Sequence, residues 1–211
     1  METTSNNQEP YQSKKEAKQA RKQAERHRRQ RERVFRTVRM YSFIVLVTVA
    51  VGLSFYLWID RTGPQGEDLS RSVPIMSDVS HVPVGQSEVI SYNSNPPTSG
   101  PHYAQTARSG FREVEIADGH IIHNLEHGDI WISYHPDVSD EVKDQLRQFG
   151  AAKVIITPRS SNETDIALAA WGRLDSFDVE DGTVPVQRID DFIRRYTGLG
   201  PERIPGASGG I

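Results

Sequence analysis

The sequence predicts an α+β (or α/β) domain, a compact mixed sheet with two or three helices, preceded by one transmembrane helix. Three observations carry that expectation. Met40 to Trp58 is a stretch of 19 residues without a charge. The residues beyond it alternate between β-rich apolar runs and segments of helical period. Charge is also divided by the apolar stretch. Residues 1–39 hold 12 Lys/Arg against 5 Asp/Glu, a balance of +7, and residues 59–211 hold 13 against 23, a balance of −10. The formal net charge of −3 is thus the sum of two opposite ends.

The apolar stretch, MYSFIVLVTVAVGLSFYLW, spans about 28 Å as a helix at ~1.5 Å per residue, close to the ~30 Å hydrocarbon thickness of a bilayer. Arg39 and Asp60 close its ends, and Tyr41, Tyr56 and Trp58 stand where interfacial aromatics belong. A cleaved signal peptide would be shorter and followed by small residues. This run ends in bulky SFYLWID, so a retained anchor is expected. The basic cluster from Lys14 to Arg39 abuts the stretch, and positive flanks stay inside. The chain is therefore expected in the cell membrane as a single-pass protein, its N-terminus cytoplasmic and its C-terminal domain extracytoplasmic. The expected organisation is a basic cytoplasmic tail (1–39), a transmembrane helix (40–58), a linker (59–80), a globular domain (81–199) and a flexible tail (200–211). The basic tail lacks the interleaved aromatics of a nucleic-acid surface, so the lipid bilayer is its expected partner and no nucleic acid is expected. Residues 1–13 are polar and read as disordered.

Within the outer domain, Glu88 to Tyr92 reads as a short strand in an otherwise irregular, turn-rich segment. Ile130 to Tyr134, IWISY, is a β-rich run. Ser139 or Asp140 then caps a helix from Glu141 to about Phe149, with Val142, Leu146 and Phe149 at i, i+4 and i+7 and Gly150 as its C′ stop. Val154 to Thr157, ended by Pro158, and Ile166 to Trp171 read as further strands, with Trp171 in the core. Asp190 opens a last helix, stopped at Gly198.

The chain contains no cysteine, which excludes disulfides, thiol nucleophiles and thiolate metal ligands. It does contain seven histidines, and six lie in the outer domain: His81, His102, His120, His123, His127 and His135. His123 and His127 in HNLEHG are i, i+4, a spacing that puts two imidazoles on one face of a helix. The order of residues is not HExxH, so no metalloprotease is expected. NPPTSGPHY places His102 at the end of a loop stiffened by Pro96, Pro97 and Pro101, with Gly100 allowing a tight turn. His102, His123 and His127, with His81 as a fourth, are the expected metal ligands. Glu126, Asn124 and Tyr103 would support them, Glu126 also as a base. Without sulfur, imidazoles suit Zn²⁺ or Cu²⁺. No nucleotide cofactor is expected. His120 and His135 read as ordinary surface or hydrogen-bonded residues. Thr98 and Ser99 lie near His102, but neither a G-x-S-x-G elbow nor an acid partner accompanies them, which disfavours acyl transfer. The alternative is a non-catalytic interaction or assembly module for a membrane complex or envelope component. Its loops would be pinned by a histidine and asparagine network through Asn93, Asn95 and Asn124.

The segments HVPVGQ (81–86), YNSNPPTSGPHY (92–103), HNLEHGDIWISYHP (123–136) and ALAAWGR (167–173) together resemble the bacterial family catalogued as domain of unknown function 3105, over about residues 81–196. The resemblance implies a membrane anchor or signal before the domain, and no established substrate or catalytic residue. Asp129 departs from it, since that position is more often aromatic or aliphatic in the family.

Overall fold

The computed structural model describes residues 9–202, with side chains described from residue 16, Thr62 excepted. The tail 1–8 and most of the predicted C-terminal tail, 203–211, lie outside the described residues. Two compact units emerge, up to Arg61 and from Thr62 onward. The first is one continuous helix, α1 (Glu9–Thr62), of 54 residues, and its apolar part is long and apolar enough to cross a membrane.

The second unit is an α+β domain. Its elements are β1 (Arg71–Ser72), β2 (Gly110–Phe111), α2 (Asp118–Glu126), β3 (Ile130–Tyr134), α3 (Asp140–Arg147), β4 (Val154–Pro158), β5 (Ile166–Ala170), β6 (Arg173–Phe177) and α4 (Val186–Tyr196). The strands form one mixed sheet in the order β1-β6-β5-β3-β4-β2. β3 and β4 run parallel and are joined through α3, whereas β3–β5 and β5–β6 are antiparallel.

Central β3 is buried along its whole length, which is why IWISY reads as a continuous apolar run rather than an alternation. Its side chains still alternate between faces. Ile130, Ile132 and Tyr134 join Val142 and Leu146 of α3 and Ile189 and Phe192 of α4 in one core. Trp131 points to the other face, with Ile155, Ala167, Ala169 and Ile121 and Leu125 of α2. Trp171 is only partly buried, against that second core. The sheet thus carries α3 and α4 on one side and α2 on the other.

Several expectations are corrected. Glu88 to Tyr92 is not a strand. Ser87–Val89 form a 3₁₀ turn, and Val89 is 85% exposed, so no sheet neighbour is there to pair with it. The Ser139 cap is present, its side chain accepting from the Val142 amide, but Gly150 lies outside the left-handed region. The last helix begins at Val186 rather than Asp190, directly after Pro185, a residue suited to helix starts. Much of segment 63–80 is seated on the domain. The Gln65 and Gly66 amides donate to Asp191 at 2.7 and 2.6 Å, Val73 is buried, and its amide donates to the Gly172 carbonyl at 2.9 Å.

Candidate metal centre

The site is built where α2 meets two loops. Helix α2 buries Ile121 and Leu125 on the sheet, and the i, i+3 and i, i+4 spacing from His123 brings Glu126 and His127 beside that imidazole. The helix ends in a Schellman motif, with Gly128 at φ +79°, its amide donating to the Leu125 carbonyl and the Asp129 amide to the Asn124 carbonyl, both at 2.9 Å. A Cβ on Gly128 would lie 2.8 Å from Gly198 Cα, so the glycine also admits the C-terminal segment.

The loop through Pro96, Pro97 and Pro101 is buried from Pro96 to Tyr103. Gly100 adopts φ +126°, and a Cβ there would meet Met76 and the Tyr92 ring at 2.8–3.0 Å. The Tyr92 hydroxyl donates to the Pro101 carbonyl at 2.8 Å. Burial, with the nearby Asp118 carboxylate, pushes that phenol up to about 12, so it stays a donor. Beneath the loop, buried Arg159 makes a two-pronged contact with Asp118 and donates to Asn95 at 2.5 Å. No local sequence signal points to that arginine. His81 arrives by an isolated bridge to His102, in which the Val82 amide donates to the His102 carbonyl at 2.7 Å and the His102 amide to the Ser80 carbonyl at 3.1 Å.

These elements bring His81, His102, His123 and Glu126 together. One ligand atom from each lies within 4.8 Å of all the others. The three rings form a nearly equilateral triangle, with centroids 4.9 Å (81–102), 4.8 Å (81–123) and 4.9 Å (102–123) apart. His102 is completely buried, His123 and Glu126 nearly so, and His81 is exposed at the rim. Glu126 therefore stands among the potential ligands rather than behind them. His127 is outside the four-atom group, although its ring lies 4.6 Å from that of His123.

The outer ring nitrogens fix the tautomers. His102 Nδ1 lies 2.9 Å from the Gly100 carbonyl and His123 Nδ1 lies 2.8 Å from the Tyr103 carbonyl. A carbonyl only accepts, so each Nδ1 carries a proton and a neutral ring turns its Nε2 lone pair inward. Burial drives the His123 imidazole down to about 4, with further lowering from the neighbouring His102, His127 and His81, against the raising effect of the Tyr103 carbonyl. His123 is thus neutral at physiological pH, the form that ligates metal. His102 Nε2 is 3.1 Å from Glu126 Oε2, yet out of line for a hydrogen bond, so this buried nitrogen has no hydrogen-bond partner. The His102 Nε2 atom thus faces a carboxylate across the centre of the cluster.

The remaining polar residues are satisfied differently. Asn124 accepts from the Ala107 amide at 2.7 Å and donates to the Ala107 carbonyl and to Asp129. Asn93 donates to the Pro74 carbonyl and Asn95 to the Ser161 carbonyl. Tyr103 lends its carbonyl to His123, while its hydroxyl accepts from the Gly85 amide. Asp129 is buried but held by Asn124, with Lys153 Nζ at 3.6 Å. His120 is buried with Nδ1 on the Gln105 carbonyl, and His135 is paired to Asp137. Ser99 Oγ accepts from the Met76 amide, which occupies the one serine that might otherwise have been set against His102 as a nucleophile.

No curated protein and no solved structure matches this chain. The profile of the family described as "Protein of unknown function (DUF3105)" matches residues 83–208, more than half of the chain, taking in His102, His123 and Glu126 and beginning two residues after His81. The chain belongs to the DUF3105 family.

Proposed function

We propose that the domain binds a divalent transition-metal ion, Zn²⁺ or Cu²⁺, through His102, His123 and Glu126, with His81 closing the set from the rim. The observation that carries this reading is the His102 Nε2 atom, fully buried, 3.1 Å from the Glu126 carboxylate and without a hydrogen-bond partner among the described residues. With the His102 ring neutral, as a metal ligand must be, a cation between Nε2 and the carboxylate bonds to both. Tetrahedral bonds of about 2.0–2.1 Å place ligand atoms about 3.4 Å apart, so the 4.8 Å spread needs a closure of little more than 1 Å at its widest pair. Carbonyls behind His102 and His123 orient the rings, as is usual around metal-ligating histidines. Two buried imidazoles and a carboxylate resemble the three-ligand sets of catalytic zinc sites, where the remaining position is open or exchangeable. His81 is exposed and suits that position. In such a site the ion would supply Lewis acidity, while the protein's residues fix the geometry and exclude water on three sides.

The placement of α1 supports the reading that this domain works tethered to the outer membrane face, with the basic segment in the cytoplasm retained by its charge. The test is elemental analysis of the full-length protein in detergent, expressed in minimal medium. At least one equivalent of Zn or Cu is expected in the parent protein, and a small fraction of that in His102→Ala and His123→Ala. Sub-stoichiometric metal in a folded parent, or an unchanged content in both variants, removes the reading.

A further inference from the structure

The four-atom cluster leaves two buried imidazoles over, His120 and His127. His127 is 6% exposed, and both of its ring nitrogens are buried without a hydrogen-bond partner among the described residues. His102, His120 and His123 each commit Nδ1 to a main-chain carbonyl, so a histidine that merely packs here has a recurrent solution, and His127 does not use it. Leaving a buried polar group unsatisfied costs about 1–3 kcal/mol. The carboxylate that stands against this ring is Glu202, whose Oε2 lies 3.5 Å from His127 Nε2. That separation is too long for a hydrogen bond, which needs ~2.7–3.2 Å. It matches the ~3.4 Å between two ligand atoms that share one tetrahedral ion with bonds of ~2.1 Å.

Resting on the metal reading above, we propose that the domain holds a second divalent ion beside the first, bound by His127 and Glu202. Glu202 is delivered by a built connection. Its amide donates to the Glu126 carbonyl at 3.1 Å, and the Gly198 amide donates to the Gly128 carbonyl at 2.7 Å. A Cβ on Gly200 would fall 2.1 Å from the Glu126 carbonyl oxygen, so only glycine lets this segment close on the end of α2. The location favours a cation. His127 caps the C-terminus of α2, where the helix dipole is negative. The nearby Lys153 ammonium is spent on the His127 carbonyl at 3.2 Å and on Asp129, away from the ring. The donors are imidazole and carboxylate, which suit Zn²⁺ and similar divalent ions.

The experiment is a Zn²⁺ titration by calorimetry of the tag-free, chelator-stripped full-length protein in detergent, with elemental analysis after gel filtration. Two ions per chain are expected for the parent and one for His127→Ala and for Glu202→Gln. The glutamate side chain is more than half exposed, so Glu202→Gln leaves the fold intact and decides the matter even where His127→Ala fails to fold. One ion in the parent, or two in a folded Glu202→Gln variant, overturns the second ion and leaves the first site standing. No ion in the parent overturns both.

Discussion

His102→Ala separates a metal ligand from a packing residue, because its two consequences have different sizes and respond differently to metal. In the chelator-treated protein, the substitution removes the Nδ1–H bond to the Gly100 carbonyl and opens space in a loop that is buried throughout. Losing the partner of a buried carbonyl costs about 1–3 kcal/mol. Against that, it removes the lone pair that faces Glu126 at 3.1 Å, which relieves the carboxylate. The net loss is therefore modest, about 1–2 kcal/mol. The metal-dependent part is larger. At a free Zn²⁺ concentration of 100 Kd, a single ion stabilises the parent by about 2.7 kcal/mol. For a folded unit intermediate between the ~100- and ~150-residue cases, each kcal/mol moves Tm by about 4 °C, so the parent's Tm rises by about 10 °C on adding Zn²⁺. In His102→Ala the same Zn²⁺ concentration is expected to raise Tm by less than about 3 °C. Scanning calorimetry of both full-length proteins in detergent, with and without Zn²⁺, reads the difference directly. His135→Ala is the control: it is paired with Asp137 outside the cluster and should keep the full rise. If His102→Ala retains more than half of the parent's metal-induced shift, the ion does not sit at the centre of this cluster.

Two further outcomes test the framework around the site. Gly128→Ala forces an L-residue to φ +79° and sets a Cβ 2.8 Å from Gly198 Cα, so a loss of at least about 1–2 kcal/mol in chemical denaturation is expected, and an unchanged midpoint would contradict the Schellman geometry. Asp191 accepts the Gln65 and Gly66 amides, which hold its carboxyl below the ordinary value of 3.8. A carboxyl lowered on folding contributes stability that is present above its unfolded value and lost as pH falls through its folded one. The Gln65 and Gly66 amide resonances should therefore titrate below pH 3.8, and a midpoint at or above it would detach that segment from α4.

Legibility in the sequence followed how local each determinant is. β3 and α3 were legible because their signals are contained in a few residues: an unbroken β-rich run, and a Ser139 cap ahead of a clean i, i+4, i+7 stripe. β6 was not, because Asp175 interrupts it, and that buried carboxylate is acceptable only through a two-pronged contact from Arg188 on α4. Helix α2 was hidden for the opposite reason. From Gly119 to Glu126 every residue is buried, so no polar face marks the helical period, and Ala117 provides no side-chain cap. That one ambiguity propagated into the site. With the helix in hand, the i, i+3 step from His123 to Glu126 places a carboxylate among the imidazoles. Without it, Glu126 reads as support. The approach of His81 and Glu202 depends on a two-residue bridge and on glycines at 198 and 200, and neither leaves a local trace.

The asparagines show how a purely structural network is satisfied in this domain. A network that pins loops should spend every buried polar atom on another part of the chain, and Asn93, Asn95 and Asn124 do so, each bonding to a main-chain group of a different segment. His102 follows that rule with one nitrogen and breaks it with the other, and His127 breaks it with both. The Nδ1 atoms of His102 and His123 hold main-chain carbonyls, while the Nε2 atom of His102 and both ring nitrogens of His127 remain buried and unpaired among the described residues. If pinning were all that was required, an asparagine or glutamine at these positions would satisfy both ends of the side chain. The polar residues beneath the loops account for its rigidity, and rigidity is what holds three imidazoles at nearly equal spacing without their bonding to one another. On the proposed reading a cation occupies the space those nitrogens enclose, which makes metal content the measurement on which the function of this domain turns.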